Sequence, residues 1–372
     1  MYLALREMRF AKTRYMLIIT IMLLVSFLVL FVTGLARGLA YANASTVKNM
    51  AADHFVVQKD ADRRFTRSLL SEDHLNNVRS VVGEANAAPL NLRMTSITEK
   101  GESVKTDVTL FAVDMEGWLA PETVKGKEIS NTSDGQILVD RKLEDSGVRI
   151  GTVLEDTMTG SQWTVSGFVN NESFSHTPSL FMNEQDWLKL QKLATVNGKD
   201  PGANTYNAIA VKTDKGQVDL LKDKLPDAEV ISKSEAVSAV PGYKEEQGSL
   251  LMMIVFLFVI SAMVLAVFFY VITIQKTSQF GILKAIGART GYLARSVMGQ
   301  VLLLSIGSLA ISLLLIRVVY AVLPASMPFQ LDSSTLILTC TLFIAMSLIG
   351  SLLSVFKIAR TDALDAIGRT AG

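Results

Sequence analysis

The chain has 372 residues, 49% of them hydrophobic, with a mean hydropathy of +0.34 and a formal net charge of +1. That is too apolar for an ordinary soluble domain and lacks the basic excess nucleic-acid binding calls for, so no nucleic-acid partner is expected. One cysteine, Cys340, excludes a disulfide framework and any CxxC metal or redox motif, and reads as a small packing residue.

The apolar residues gather in four windows, Tyr15–Val32, Leu250–Ile274, Val297–Leu323 and Leu336–Phe356. Each comes near the roughly 20 residues a helix needs to cross a bilayer. Residues 1–14 read as a cytoplasmic amphipathic segment carrying Arg6, Arg9, Lys12 and Arg14. A first span is expected over 15–42, where Gly34 and Gly38 form a small-xxx-small face suited to helix packing. The "AYA" of Ala40–Ala42 imitates a signal-peptide cleavage site, but the apolar stretch exceeds the usual length of roughly 7–15 residues. An uncleaved anchor is therefore expected.

Residues 43–248 have the composition of a water-exposed domain. Asn43 to Ser249 hold 23 Lys and Arg against 31 Asp and Glu, a net of −8. "HFVVQ", "LNLRMTSIT", "VTLFAV", "QILVD" and "WTVSGFV" read as strands. "SEDHLNNVRSVV" reads as a helix with Ser71 as N-cap, Leu75, Val78 and Val82 on one face, and His74 on its solvated side. "NEQDWLKLQKL" and "DKGQVDLLKDKL" read as two more helices, and "TVNGKDPGANTY" as an exposed loop. The pattern is α+β, in two subdomains.

Further spans are expected over 249–275, 296–323 and 335–356, separated by a loop at 276–295 and a short hairpin at 324–334, with a tail over 357–372. Lys276, Lys284, Arg289, Arg295, Lys357, Arg360 and Arg369 flank one side, whereas "PASMPFQLDSS" has no Lys or Arg. The positive-inside bias puts both termini and the 276–295 loop in the cytoplasm and the acidic domain outside. Arg317, near the end of the third span, reads as a side chain snorkelling to the outer headgroups, with a contact to substrate charge or lipid as the alternative. In the loop, Phe280, Ile282, Leu283 and Ile286 fall within an arc of about 160° on a helical wheel.

No Walker-type glycine loop, H-E-x-x-H or G-x-S-x-G occurs, and His54, His74 and His176 are isolated. The chain is expected to hydrolyse no nucleotide and to be no enzyme by itself.

A long domain after the first span, then "FGILKAIGARTGYL" between the second and third, resembles the FtsX/MacB-type permeases of ABC transporters. "DGQILVDRKLEDSGVRIGTVL" and "ARTDALDAIG" are similar to their outer-domain segment and cytoplasmic tail. "VTGLARGLAYAN", "FVVQK", "FFYVITIQKTSQFGILKAIG", "MPF" and "DAIG" narrow the resemblance to the haem-exporter permeases of Gram-positive bacteria. It implies a membrane protein of type VII ABC transporter architecture, with four transmembrane helices (one plus three) and a large α+β extracytoplasmic domain. It further implies a homodimer in contact with membrane lipids, two copies of a separate ATPase that binds the ATP, and haem as cargo rather than a covalently bound cofactor.

The loop helix would then couple to the ATPase. Phe280, Ile282, Leu283 and Ile286 would fill a groove on it, and Lys284 and Arg289 would meet an acidic rim. Gly287 would end the helix; a helix resting on lipid headgroups is the alternative. For haem, the resemblance points to Phe55, Phe174, Tyr243 and Glu246, with His54, His176, Glu245, Met252 and Met253 as weaker candidates. Phe55 and Phe174 read equally as strand core, Tyr243 as an interfacial aromatic, and Glu246 as a solvated charge. Rival cargoes and roles are a lipopeptide or antimicrobial peptide, or FtsX-like regulation of a cell-wall hydrolase.

Overall fold

A computed structural model describes residues 12–194, 204–324 and 327–359. Most of the amphipathic N-terminal segment, most of the tail and the tip of the "TVNGKDPGANTY" loop lie outside the described residues. In chain order the elements are α1 (Lys12–Asn49), β1 (His54–Gln58), α2 (Glu72–Val82), β2 (Ala87–Glu99), β3 (Thr106–Ala112), β4 (Thr123–Gly126) and β5 (Gln136–Asp140). There follow α3 (Lys142–Asp145), β6 (Val153–Asp156), β7 (Gln162–Val169), β8 (Ser173–Phe174), β9 (Thr177–Met182), α4 (Glu184–Ala194) and β10 (Ala208–Val211). The last are α5 (Lys215–Lys224), β11 (Ala228–Ser232), α6 (Lys233–Ser238), α7 (Tyr243–Gln275), α8 (Thr277–Ala285), α9 (Thr290–Val322) and α10 (Ser333–Ala359).

The chain divides into two compact units, a helical one built from α1 up to Gly38 with α7–α10, and a sheet-based one spanning Leu39–Gln247 with Pro324–Pro328. In the sheet unit the strands run β11-β1-β10-β2-β3-β9-β5-β7-β4. The long β2 serves three partners: its first residues pair with β10, and from Asn91 onward it pairs with β3. Its end also pairs with β6, which pairs with β7, so β2, β3, β9, β5, β7 and β6 close into a six-stranded ring. Closure leaves those strands without a free edge.

Period-two alternation then sorts the side chains. Val108, Leu110, Ala112, Val139, Val165 and Leu180 fill the ring's interior. Phe111, Leu138 and Phe181 point the other way, into a second core with Phe55, Phe174, the Ala44 and Val47 of α1, and Met50 just after it. A third core lies where Val56, Ile209 and Val211 meet α2 and α5 through Leu75, Val78, Val82, Val218 and Leu221. The two expected subdomains are thus two lobes of one sheet, sharing β2. Ser71 caps α2 as expected, but His74 is not a solvated residue. It completes the capping box, its Nδ1 2.8 Å from Ser71 Oγ and its Nε2 3.0 Å from Asp227.

Among the described residues, four helices are long and apolar enough to cross a membrane. They pack through Tyr15, Met22, Leu30, Leu265, Phe269, Leu304 and Phe343, with Cys340 half-buried beside them. Ser26 and Ser312 share a hydroxyl contact of 2.5 Å between α1 and α9, where small residues let backbones approach. Gly34 serves the return hairpin rather than another span. Its carbonyl accepts from Gln330 N at 3.0 Å, and a Cβ there would stand 2.5 Å from the Phe329 ring. Gly34→Leu is therefore expected to lower stability by about 1–3 kcal/mol through overpacking, seen as a lower melting temperature in detergent; an unchanged melt would refute the close approach.

Candidate functional site

Helix α1 does not stop at residue 42 but continues to Asn49, broken only at Ala44 (φ −139°, ψ 26°). Beyond that break its polar side chains bond the β8–β9 segment. Ser45 Oγ accepts from Ser173 N at 2.9 Å, Thr46 and Ser179 share hydroxyls at 2.8 Å, and Asn49 donates to Glu172 at 2.9 Å. Asn43 O accepts from Ser175 N at 2.7 Å. The β8–β9 hairpin turns on two residues, Ser175 (φ 51°) and His176 (φ 66°). Positive φ at both central positions is the type I′ pattern, normally given to Asn and Gly. Here the strained backbone presents His176, whose Nε2 lies 2.9 Å from Glu246 Oε2, the oxygen that also accepts from Asn43 Nδ2.

Glu246 lies in the first turn of α7, where carboxylates suit the helix dipole. One turn earlier, Tyr243 packs half-buried against the central core, with Lys48 Nζ 5.0 Å above its ring. The same ammonium lies 5.4 Å from the Tyr41 ring. Two aromatic rings, an imidazole and a carboxylate thus collect where α1 and α7 enter the sheet unit. The His176 side chain is 43% exposed, Glu246 17%. The site can offer a ring face and an imidazole nitrogen to a flat amphipathic ligand.

Of the expected site residues, the structure joins Tyr243, Glu246 and His176 and separates the others. Phe55 and Phe174 are corrected: they are 0% and 2% exposed, packed on Phe65 at 5.0 Å and Phe111 at 5.8 Å, and line no surface. His54 sits in β1 opposite Ser232 and Val211, and Glu245 is an exposed charge. Met252 and Met253 are exposed on α7. The sequence reading missed Tyr41, Asn43 and Lys48. Small polar residues at 43, 45, 46 and 49 were the available sign that the helix continues out of lipid.

Behind the hairpin lies a buried ionisable group. Glu172 is 7% exposed and lines a cavity of about 440 Å³ with Trp118, Leu119 and Asn49. Burial pushes its pKa from 4.5 up to about 7, against the opposing hydrogen bonds from Asn49 and Thr46, and Asp140 adds repulsion. Burial likewise raises Asp140 and lowers Lys142, whose Nζ donates to Ser173 Oγ at 2.7 Å. The folded protein holds the Glu172 proton more tightly than the unfolded chain. Its contribution to stability is therefore complete below about pH 4.5 and is lost as pH rises through about 7. Glu172→Gln is expected to remove that part of the fall in melting temperature between pH 5 and 8, a few degrees for a chain this size. An unaltered pH profile would contradict it.

The residues of the 276–295 loop form α8, whose end is a Schellman motif. Ala288 N donates to Leu283 O at 2.9 Å and Gly287 N to Lys284 O at 3.0 Å, with Gly287 at φ 95°. Ile282 and Ile286 are exposed, as are Arg289 and the helix face between them, while Leu283 and Lys284 are half-buried. Phe280 is corrected: at 7% exposure it belongs to the chain's own packing and cannot fill a partner's groove. Lys276, the one residue between α7 and α8, is also buried. Its Nζ donates to Tyr15 Oη at 3.0 Å and to Gln300 Oε1 at 3.2 Å, joining α1 and α9 to the start of α8.

A family model described as FtsX-like permease C-terminal matches residues 251–363. The chain is 31% identical over 368 residues to a protein of Staphylococcus haemolyticus named as the hemin transport system permease HrtB, covering 99% of each. It is 25% identical over 329 residues to an uncharacterized ABC transporter permease of Mycobacterium tuberculosis, covering 87% of each. Among solved structures, the extracellular domain of the transporter YknZ from Gram-positive bacteria aligns with 49% of this chain and 99% of its own, at 14% identity and a TM-score of 0.34.

Proposed function

The chain belongs to the FtsX-like permeases of ABC transporters, a membrane protein with an extracellular domain, and on that premise we propose that it exports haem. The observation that carries the reading is likeness along 99% of the chain to a permease named for hemin transport. The Tyr41–Tyr243–His176–Glu246 cluster supports it. Haem is a flat amphipath with an iron atom, and a site for it needs ring or aliphatic walls and a nitrogen or oxygen ligand. Tyr243 supplies a wall. His176 supplies an imidazole whose other nitrogen is engaged by Glu246, the arrangement that orients a ligating histidine.

In this reading the permease itself does no covalent chemistry. Two copies work with two copies of a separate ATPase that binds ATP, and both termini face the cytoplasm. Ile282 and Ile286 dock on the ATPase with Arg289 at the rim. Lys276 passes the displacement of α8 to α1 and α9 at once. The outward step is mechanical, and haem is drawn from the membrane rather than through an aqueous channel.

A second reading, export of a cationic peptide, has one observation in its favour. A cleft of about 680 Å³ in the sheet unit is lined by Glu72, Glu84, Asp114, Glu116 and Glu184 around Trp118, with Arg79 the cation among them.

Haem titration of the purified full chain is expected to give a Soret shift. His176→Ala and Tyr243→Ala should weaken it about tenfold or more, while Phe174→Leu lowers stability and leaves the spectrum alone. No shift in the parent protein, with peptide sensitivity in a deletion strain, would favour the second reading. For coupling, Ile282→Glu should abolish co-purification of the ATPase, whereas Lys276→Met should keep the complex and its ATP hydrolysis while haem export falls. Normal haem resistance with Ile282→Glu would overturn the docking assignment.

A further inference from the structure

Arg317 stands on α9 five residues before its final Val322, about 7.5 Å along the helix axis. A guanidinium at that depth in a membrane span is unfavourable by several kcal/mol unless it reaches water, a counter-charge or a phosphate. Among the described residues Arg317 makes no hydrogen bond or ion pair, and it is exposed. The carboxylate that shares its surroundings is already engaged. Asp332 caps α10, accepting from Thr335 Oγ1 at 2.7 Å, from Thr335 N at 3.1 Å and from the Ser334 hydroxyl. Those bonds hold its pKa well below the usual carboxylate range, so it stays ionised.

Arg317 opens into a cavity of about 890 Å³ enclosed by α9, the hairpin and the start of α10. Tyr320 and Phe329 form its aromatic side, ring centroids 6.0 Å apart at 52°. Phe329 is held in place by Gly34 beneath it and by Phe31 at 5.8 Å, so this wall is fixed from the α1 side. Leu313, Ile316, Leu331 and Leu336 add aliphatic carbon, and Gln330, Asp332 and Ser333 line the polar remainder. From the α9 end inward come the aromatic Tyr320, then the Arg317 cation, then the aliphatic Ile316 and Leu313, the parts one class of molecule would meet in turn.

We propose that this cavity binds an anionic phospholipid of the outer leaflet, its phosphodiester on Arg317 and an acyl chain along Leu313, Ile316 and Leu336. The guanidinium fork meets two phosphate oxygens at once, which an ammonium does less well. The amphipathic Tyr320 ring, three residues nearer the helix end than Arg317, sits at the headgroup level, where such rings favour the interface. A zwitterionic head brings its own cation to compete for the phosphate, so a lipid of net negative charge binds better. The site does not depend on the identity of the transported cargo.

Native mass spectrometry of the full chain in neutral detergent tests this with phosphatidylglycerol, phosphatidylcholine and diacylglycerol. Phosphatidylglycerol is expected to be retained best and diacylglycerol least. Arg317→Gln should weaken retention about tenfold, the loss of one charge-assisted pair, and Arg317→Lys should restore part of it. Tyr320→Leu should weaken it less, and Arg37→Gln, an exposed arginine outside the cavity, should leave it unchanged. Equal retention by Arg317→Gln and the parent would overturn the proposal, as would equal binding of diacylglycerol. Displacement by inorganic phosphate alone would reassign the site to a free anion. Haem retention lost with Arg317→Gln while lipid retention survives would assign the cavity to the cargo instead. Should Arg317→Gln fail to fold, Arg317→Lys and Tyr320→Leu carry the same comparison.

Discussion

Everything outside the membrane hangs on one helix having two environments. Over Tyr15–Gly38 the first helix shows lipid and its neighbours apolar side chains, as any span must when the bilayer offers its backbone no partner. Past Ala44 the same helix becomes part of a water-soluble core, with Ala44, Val47 and, just after its end, Met50 buried among Phe55, Phe174 and Phe181. The polar residues interleaved with them, Ser45, Thr46 and Asn49, are consumed by hydrogen bonds to one hairpin. Neither half could tolerate the other's composition. The departure from helical geometry at Ala44 marks where one solvent replaces the other.

That arrangement explains what could and could not be read from the residues. Hydropathy located all four spans because twenty consecutive apolar residues have no other common use. It does not mark where the helices end, since a helix that leaves lipid and enters a protein core keeps its backbone and changes only its side chains. Phe55 shows a subtler loss. "HFVVQ" is a continuous apolar run rather than an alternating one, which signals a strand covered on both faces. Phe55 and Val57 do enter one core and Val56 another. The run therefore speaks against a ligand-facing Phe55.

His176 stood only among the weaker candidates for a different reason. Its importance comes from a two-residue reversal with φ positive at both positions, and Ser-His carries none of the Asn-Gly signal that marks such turns. Its pairing with Glu246, seventy positions along the chain, is tertiary information. The same holds for β6 closing the ring onto β2, because a short strand with two partners looks like any other short strand. Phe280 failed on the wheel for want of a reference direction. An arc of about 160° names which side chains share a side, not which of them the protein keeps for itself.

The connections around the short helix α8 have a further meaning. A single residue, Lys276, separates it from α7, and residues 286–289 separate it from α9, the first three of them hydrogen-bonded back onto α8. Long flexible joints would absorb a push as bending of the loop. Here there is almost no slack, so a push on α8 from any source arrives at its neighbours as displacement, undiminished by compliance in the joints.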